Sequence, residues 1–535
     1  MFNRIKSLML IFFSLLTLGS CQKDLELQPE DNRQTAESAF QDPQAYRQFL
    51  AKLYAGFAVS GQDGPAGNPD LTGLDEGFSQ YMRLYWMMEE LPTEEAVIGW
   101  NDGTIKDLHN QNWTSGNEFI RTMYSRIMYQ IAQANEFLRQ TSPDKLDSRG
   151  VDSSLQAEIK TYRAEARFLR ALSYWHALDL FGNPPFVTEE DAPGAYLPEQ
   201  ISSAELFDYI ESELLAIEGD LKDPMANEYG RADKGAAWML LANLYLNSEK
   251  YNGTDHYADV ITYTTKVIDA GYSLVDDYQK LFLADNNTNG AQKEIIFPIT
   301  YDGINTQSYG GMTFIIHAAV GGEMDPDNFG INGGWAGLRT TSALVNKFLD
   351  DNDNSIEEVD DERAMFFTEG QTKEINDISN FNDGYAVTKY KNVDSMGNAG
   401  SDPTGDFPDT DFPMFRLGDT YLMYAEAILR TNGDKTKAVT YINKLRERAY
   451  GDDSANITAS DLTLDFILAE RARELYWEAH RRTDLIRFDQ FSNHGVWPWK
   501  GGVPQGSTTE AFRDLMPIPA SDLGVNTNLE QNPGY

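Results

Sequence analysis

Two stretches of this chain place a tryptophan where there is little reason to bury one. Residues 330–341 read GINGGWAGLRTT, with Trp335 set among Gly333, Gly334 and Gly337, and residues 97–103 read VIGWNDG around Trp100. Glycine opens backbone conformations that a β-carbon forbids, so both neighbourhoods predict flexible loops. Loops run over surfaces. An indole offered there can stack its flat, electron-rich face on something outside the protein. The competing reading is a ring that fills core. That second reading is adopted for Trp86, Trp175, Trp238 and Trp477, which fall in helical stretches, and for Trp497 and Trp499 in VWPWKGG, which read as packing beneath a loop.

Bond-making chemistry finds little support. The chain has no G-x-S-x-G elbow, no phosphate loop, no H-E-x-x-H and no dinucleotide-binding glycine run, and its six histidines show no ligand spacing. Its 83 acidic residues leave a pair of glycosidase carboxylates open, since such a pair need only meet in space. The run DDNDNSIEEVDDE offers Asp351, Asp353, Ser355 and Glu362 at calcium-loop spacing, but Ile356 stands where the turn requires glycine, so a solvated acidic loop is expected. The segment AERARELYWEAHRRTDLIRF carries Glu470, Arg471, Arg473, Glu474, Arg481, Asp484 and Arg487 at helical spacing. It reads as a network of paired charges between packed helices rather than an anion or catalytic site. No catalytic residue, metal ligand or cofactor is assigned.

Bulk properties narrow the partners. The chain has 535 residues, 41% hydrophobic and 24% charged, and a net charge of -39. That composition folds. Its field repels nucleic-acid phosphates and acidic polysaccharides alike, so nucleic acid is excluded as a partner and a neutral glycan is tolerated. At the N-terminus, Arg4 and Lys6 precede the apolar run Leu8–Leu18, too short to span a bilayer and of the length of a signal-peptide core. The run ends in Leu18-Gly19-Ser20-Cys21, which resembles the cleavage box of bacterial lipoproteins, and Cys21 is the only cysteine in the chain. A signal peptide over 1–20 and a lipidated tether over 21–36 are therefore expected, with a membrane anchor through Cys21 and no disulfides. The following QKDLELQPED resembles the surface-export signals of such lipoproteins.

The elements that must position the two rings are mostly helical. QAEIKTYRAEARFLRALSYWHALDLFG spaces Ile159, Tyr162, Ala166, Leu169, Leu172 and Leu180 as a helix does, and ends at Gly182-Asn183-Pro184-Pro185. Ser202 and Glu205 form a capping box before Leu206, Ile210, Leu214 and Ile217. Trp238-x2-Leu241-Ala242-x2-Tyr245 has the first-helix pattern of a tetratricopeptide repeat, with its partner expected around Thr262 to Ala270. The pattern recurs at Tyr421, Tyr424, Ala425 and Ile428, followed by KAVTYINKLRERA. The fold class predicted is mainly α: a tetratricopeptide-like helical-repeat scaffold over about 118–283 and 415–491. Loop-rich parts over about 60–117 and 284–413 carry the two solitary tryptophans. The second is a long insertion in which EIIFPI and TFIIHAA read as short β-strands.

ERARELYWEAHRRTDLIRF and the tail LMPIPASDLGVNTNLEQNPGY resemble the C-terminal hallmark of the RagB/SusD family, as RAEARFLRALSYWHALDLFGNPPFV and FRLGDTYLMYAEAI resemble two further family segments. The resemblance implies one SusD-like domain over 37–535, lipid-anchored at the outer membrane and facing the exterior. It further implies a nutrient-binding rather than enzymatic role, and a TonB-dependent transporter as partner. NPDLTGLDEG, EELPTEEA, YGRADKGAAW, DGINTQSYGG and WPWKGG are similar to stretches of the family's founding, starch-binding member. On that likeness a site for starch or malto-oligosaccharides falls on Trp100, Arg83, Tyr309 and Trp335, with Asp75 nearby. Where that member has an asparagine three residues after the first tryptophan, this chain has Gly103, and Asn101 is the candidate substitute. The stretch from Tyr309 to Trp335 is also two residues longer. Another glycan or a peptide as ligand, a lipid-anchored glycoside hydrolase, and a protein-binding helical adaptor are the alternatives.

Overall fold

A computed structural model describes residues 35–192, 194, 196–349 and 355–535. Cys21, the expected signal peptide and the expected tether up to residue 34, and Asp351 and Asp353 of the acidic run, lie outside the described residues. Twelve helices carry the architecture: α1 (Ala45–Ala58), α2 (Tyr81–Glu90), α3 (Glu118–Gln140), α4 (Ser153–Phe181), α5 (Ser203–Ile217), α6 (Lys234–Leu246), α7 (Tyr257–Ile268), α8 (Gly311–Ala318), α9 (Leu417–Arg430), α10 (Thr436–Tyr450), α11 (Leu464–Leu475) and α12 (Arg481–Arg487). None of the described helices is long and apolar enough to cross a membrane.

The longest helix forms for the reason its spacing gives. All six stripe residues of α4 from Ile159 to Leu180 are buried, and the helix stops at Phe181, with Gly182 at φ 70°. The Ser202–Glu205 capping box is present in full at the start of α5. α3 packs on α4 and α4 on α5, while α6 pairs with α7, α7 with α9, and α9 with both α10 and α11. The two tetratricopeptide-like helices α6 and α9 are thus neighbours joined through α7, and the small residues Ala242 and Ala425 are fully buried at these close approaches. The scaffold reaches further back than residue 118, because α1 packs on α3 and α4, and α2 packs on α3, α8 and α12.

Six short strands, β1 (Val97–Ile98), β2 (Ile295–Ile299), β3 (Leu338–Arg339), β4 (Phe366–Phe367), β5 (Ala386–Val387) and β6 (Phe412–Arg416), pair antiparallel as β1 with β3, β2 with β6 and β4 with β5. EIIFPI supplies β2 as expected. TFIIHAA does not form a strand: it is the core of α8, buried on every side. A short, continuously apolar run has no period to separate the two forms, and here the surroundings on all faces decide for helix.

The C-terminal segment read as one helix is two. α11 ends at Leu475 and α12 begins at Arg481, and between them Trp477 and Ala479 take φ of 65° and 61°. Tertiary hydrogen bonds hold this break. The Glu95 carboxylate accepts from the Trp477 N–H at 3.1 Å, and that of Glu90 from the Ala479 N–H at 2.6 Å. The indole N–H of Trp86 donates to the Trp477 carbonyl at 3.0 Å. Trp477 is a core residue, as expected, but on a left-handed turn rather than a helix.

Candidate functional site

The β1–β3 ladder brings the two solitary tryptophans together. Val97 pairs with Arg339 and Ile98 with Leu338, and the Gly99 N–H extends the ladder to the Gly337 carbonyl at 2.9 Å. Trp100 leaves the end of β1 as Trp335 enters β3 from the opposite strand. The indole N–H of Trp100 donates to the Trp335 carbonyl at 3.2 Å, and the ring centroids stand 6.3 Å apart with planes tilted 43°.

The glycines around Trp335 serve contact more than freedom. A β-carbon on Gly337 would fall on the Trp100 indole and one on Gly334 on the Val320 carbonyl oxygen, whereas at Gly333 it would meet open space. The flexible loop expected from composition is stitched to α8 and the residues after it. Trp335 N–H donates to the His317 carbonyl at 2.7 Å, Ala336 N–H to Val320 at 2.9 Å and Gly337 N–H to Ala318 at 2.8 Å. Backbone strain is not avoided either, since it sits at Ala336, a non-glycine at φ 50°.

Tyr309 is the third ring. Its backbone N–H donates to Glu76 Oε2 at 2.9 Å, while Glu76 Oε1 accepts from the Ser60 hydroxyl at 2.7 Å. One carboxylate therefore ties the ring's backbone to the loop that opens at residue 60. Tyr309 lies 6.5 Å from Trp335 at a tilt of 48°, with its other neighbour Phe407 at 5.2 Å. Trp100, Trp335 and Tyr309 thus stand in sequence around one cavity of about 420 Å³, successive planes turning by similar amounts. Trp100 and Trp335 are half-buried and Tyr309 is 37% exposed, so all three present edges or faces outward.

Arg83, on α2, closes the cavity beneath the rings. Its guanidinium is clamped between Phe78 and Phe314, 4.0 and 4.1 Å from their centroids. It is only 3% exposed, its Nε and Nη2 have no hydrogen-bond partner, and it makes no ion pair among the described residues. Burial pulls its pKa down to about 9, against the opposing charges of Asp75, Asp102 and Glu76, so it stays cationic at neutral pH. Buried polar atoms are almost always paired. Arg83 thus brings a buried cation without a carboxylate partner to the wall of the cavity.

Asp75 also lines the cavity, with one oxygen engaged by the Phe78 N–H at 2.9 Å. Asn101 is exposed and outside the cavity wall. At Gly103, φ is 47° and a β-carbon would collide with the Glu118 carboxylate, which accepts the Thr104 N–H at 3.1 Å. A side chain at 103 would have to displace this carboxylate and adopt a left-handed backbone conformation.

Residues 367–535 match the model of the SusD family. The chain is 37% identical to the starch-binding protein SusD of Bacteroides thetaiotaomicron, over 96% of each chain. The chain belongs to the SusD family. It is also 26% identical to SusD-like protein P2 of Formosa agariphila, over 81% of this chain and 84% of that one. Among solved structures, a SusD homolog from B. thetaiotaomicron superposes with a TM-score of 0.72 at 18% identity, covering 95% of this chain and all of that one. Surface glycan-binding protein A from the same organism, in complex with laminarihexaose, gives 0.68 at 18% identity over 91% and 98%. These likenesses establish the fold as that of the SusD-like, tetratricopeptide-like helical proteins.

Sequence reasoning missed the layer behind the rings. Phe78, Phe314, His317 and Phe407 hold Arg83, Trp335 and Tyr309 in place. Phe314 and His317 lie in the run misread as a strand, and a helical reading would have set them three residues apart on one face.

Proposed function

We propose that this protein is a cell-surface lipoprotein, not an enzyme, that captures starch or malto-oligosaccharides by aromatic stacking and hands them to a TonB-dependent outer-membrane transporter. The observation that carries this reading is the convergence of Trp100, Trp335 and Tyr309, from three separate segments, on one cavity floored by an unpaired arginine. Each ring stacked on a pyranose contributes about 1–2 kcal/mol, too little alone and sufficient in combination. A helically coiled α-glucan offers sugar faces that turn from one residue to the next, as the ring planes do. Arg83 supplies hydrogen bonds to adjacent hydroxyls, and Asp75 can accept from them. The 37% identity to a protein named for starch binding favours this glucan.

The same reading includes a signal peptide over 1–20, lipidation at Cys21, a tether over 21–36 and a single domain over 37–535, with Asn101 a peripheral contact to ligand that extends beyond the cavity. Retention of the intact protein in amylopectin gels tests it, beside a triple variant with Trp100→Ala, Tyr309→Ala and Trp335→Ala. Retention is expected to vanish in the triple variant while its melting temperature stays near that of the parent. Equal retention of a folded triple variant rejects the site. Laminarin gels run in parallel decide between the α-glucan and the ligand named for the structural neighbour.

A further inference from the structure

His317 is a buried titratable side chain that touches the ring system without lining the cavity. It is 1% exposed, on the last turn of α8. Its imidazole stacks on the Trp335 indole with centroids 4.8 Å apart and planes 26° from parallel. That stack covers part of the indole, which also lines the cavity. Nδ1 lies 2.7 Å from the Gly333 carbonyl oxygen and Nε2 lies 3.0 Å from the Asp406 carbonyl oxygen; burial lowers the pKa of this imidazole, and its neutral form has one N–H, which donates to only one of the two. Those carbonyls belong to different loops. Gly333 is two residues before Trp335. Asp406 is next to Phe407, which packs against Tyr309 at 5.2 Å. The same two loops are joined at their exposed edge by Asn332, whose amide donates to Asp406 Oδ1 at 2.7 Å and to the Thr404 carbonyl at 2.9 Å.

From this geometry we infer that His317 is a positioning residue that sets the spacing and tilt between Trp335 and Tyr309: its ring stacks on Trp335 while Nε2–H donates to the Asp406 carbonyl, which clasps one ring to the loop that supports the other. The inference rests on the reading of the cavity as a glucan site. Its physical content is a division of labour. Direct stacking on any one ring does not need the clasp, because Trp335 is also fixed by backbone hydrogen bonds to His317, and Tyr309 by Glu76. Simultaneous contact with both rings does need it, because a ligand gains from several stacks only when their separation matches its own repeat. Loss of the clasp therefore penalises long chains and spares short ones.

The test is calorimetric titration of the full chain with maltoheptaose and with maltotriose, for the parent, His317→Phe and His317→Gln. Phenylalanine keeps a flat ring on Trp335 and donates nothing; glutamine keeps a donor that can reach a carbonyl. His317→Phe is expected to weaken maltoheptaose by roughly tenfold and maltotriose by less than about twofold, with His317→Gln recovering most of the loss. Unchanged maltoheptaose affinity in His317→Phe overturns the inference, as does equal weakening of both ligands without recovery in His317→Gln. If His317→Phe gives no cooperative melt, Asn332→Ala decides: selective weakening of the longer chain supports the clasp and no weakening rejects it. Failure of the parent to bind either glucan refutes the functional reading itself, before any variant is made, and the inference falls with it.

Discussion

The aromatic cavity and the α11–α12 block handle charge in opposite ways. Around α11 and α12 the arginines are buried and paired. Glu474 receives Arg363, Arg416 and Arg448; Glu470 receives Arg363, Arg446 and Arg473; Asp484 receives Arg471 and Arg487, and Glu426 a further contact from Arg487. At the cavity a single buried arginine has no carboxylate partner at all among the described residues. By composition the block looks more like a place for chemistry, and its charges are spent on one another. The cavity, poorer in charge, retains unmet hydrogen-bonding capacity. The two regions thus differ in how their arginines are paired: with carboxylates around α11 and α12, and with aromatic rings at the cavity.

The sharpest way to break that contrast is to unpair the block. Glu474→Ala leaves three buried guanidinium groups short of an anion and is expected to cost about 3–5 kcal/mol, read as a large drop in denaturation midpoint. Glucan affinity of the remaining folded fraction should be unchanged. Arg83→Met is the converse. It removes a cation that has no partner, so stability is expected to stay within about 1 kcal/mol of the parent or rise, while glucan affinity falls by roughly 10- to 100-fold. Parallel loss of stability and binding in Arg83→Met would make it a structural arginine like the others.

A finer cut distinguishes contact from freedom in the Trp335 loop. Gly337→Ala drives a methyl into the Trp100 indole and is expected to weaken glucan binding by about tenfold, whereas Gly333→Ala, facing open space, should change it by less than about twofold. Equal effects would return the glycines to a role in backbone freedom.

The smallest effect is expected from pH, and it falls on stability. Burial pushes the Glu95 carboxyl up to about 7 and Glu89 up to about 8, so their contribution is fully present below the unfolded carboxylate value near 4.5 and is lost as pH rises through 7 to 8. Glu94 and Glu470 are held down at about 2: burial alone would raise both, and it is outweighed by Arg481 and Lys347 at Glu94 and by Arg363, Arg473 and Arg446 at Glu470. Their stabilisation is present above about 4.5 and fades as pH falls toward 2. The melting temperature should therefore peak at mildly acidic pH, between about 4.5 and 6.5, and decline by a few degrees at pH 8. Glucan affinity, which depends on the rings, the Arg83 guanidinium and the His317 clasp, should stay flat from pH 7 to 8, where burial keeps His317 neutral.

How much of this was readable beforehand follows from where the information sits. The α4 stripe, the capping box at Ser202 and the two repeat signatures are local patterns, and each produced the expected helix. Trp100 and Trp335 stood out because glycine-rich surroundings are local too. Tyr309, Arg83 and Asp75 came only through family resemblance, since nothing within several residues of them is unusual. α8 was misread because a run buried on all faces carries no period. The turn at Trp477–Ala479 was invisible because the carboxylates that hold it, Glu90 and Glu95, lie nearly four hundred positions away.

The two-rung ladder between Val97–Ile98 and Leu338–Arg339 has a temporal consequence. It closes a loop of more than two hundred residues, and Trp100 and Trp335 are 235 positions apart. A contact that distant is slow to find and gains nothing until most of the intervening chain is in place. Pairing of the two indoles is accordingly a late event: a chain interrupted in synthesis or translocation before position 335 holds one indole and no counterpart.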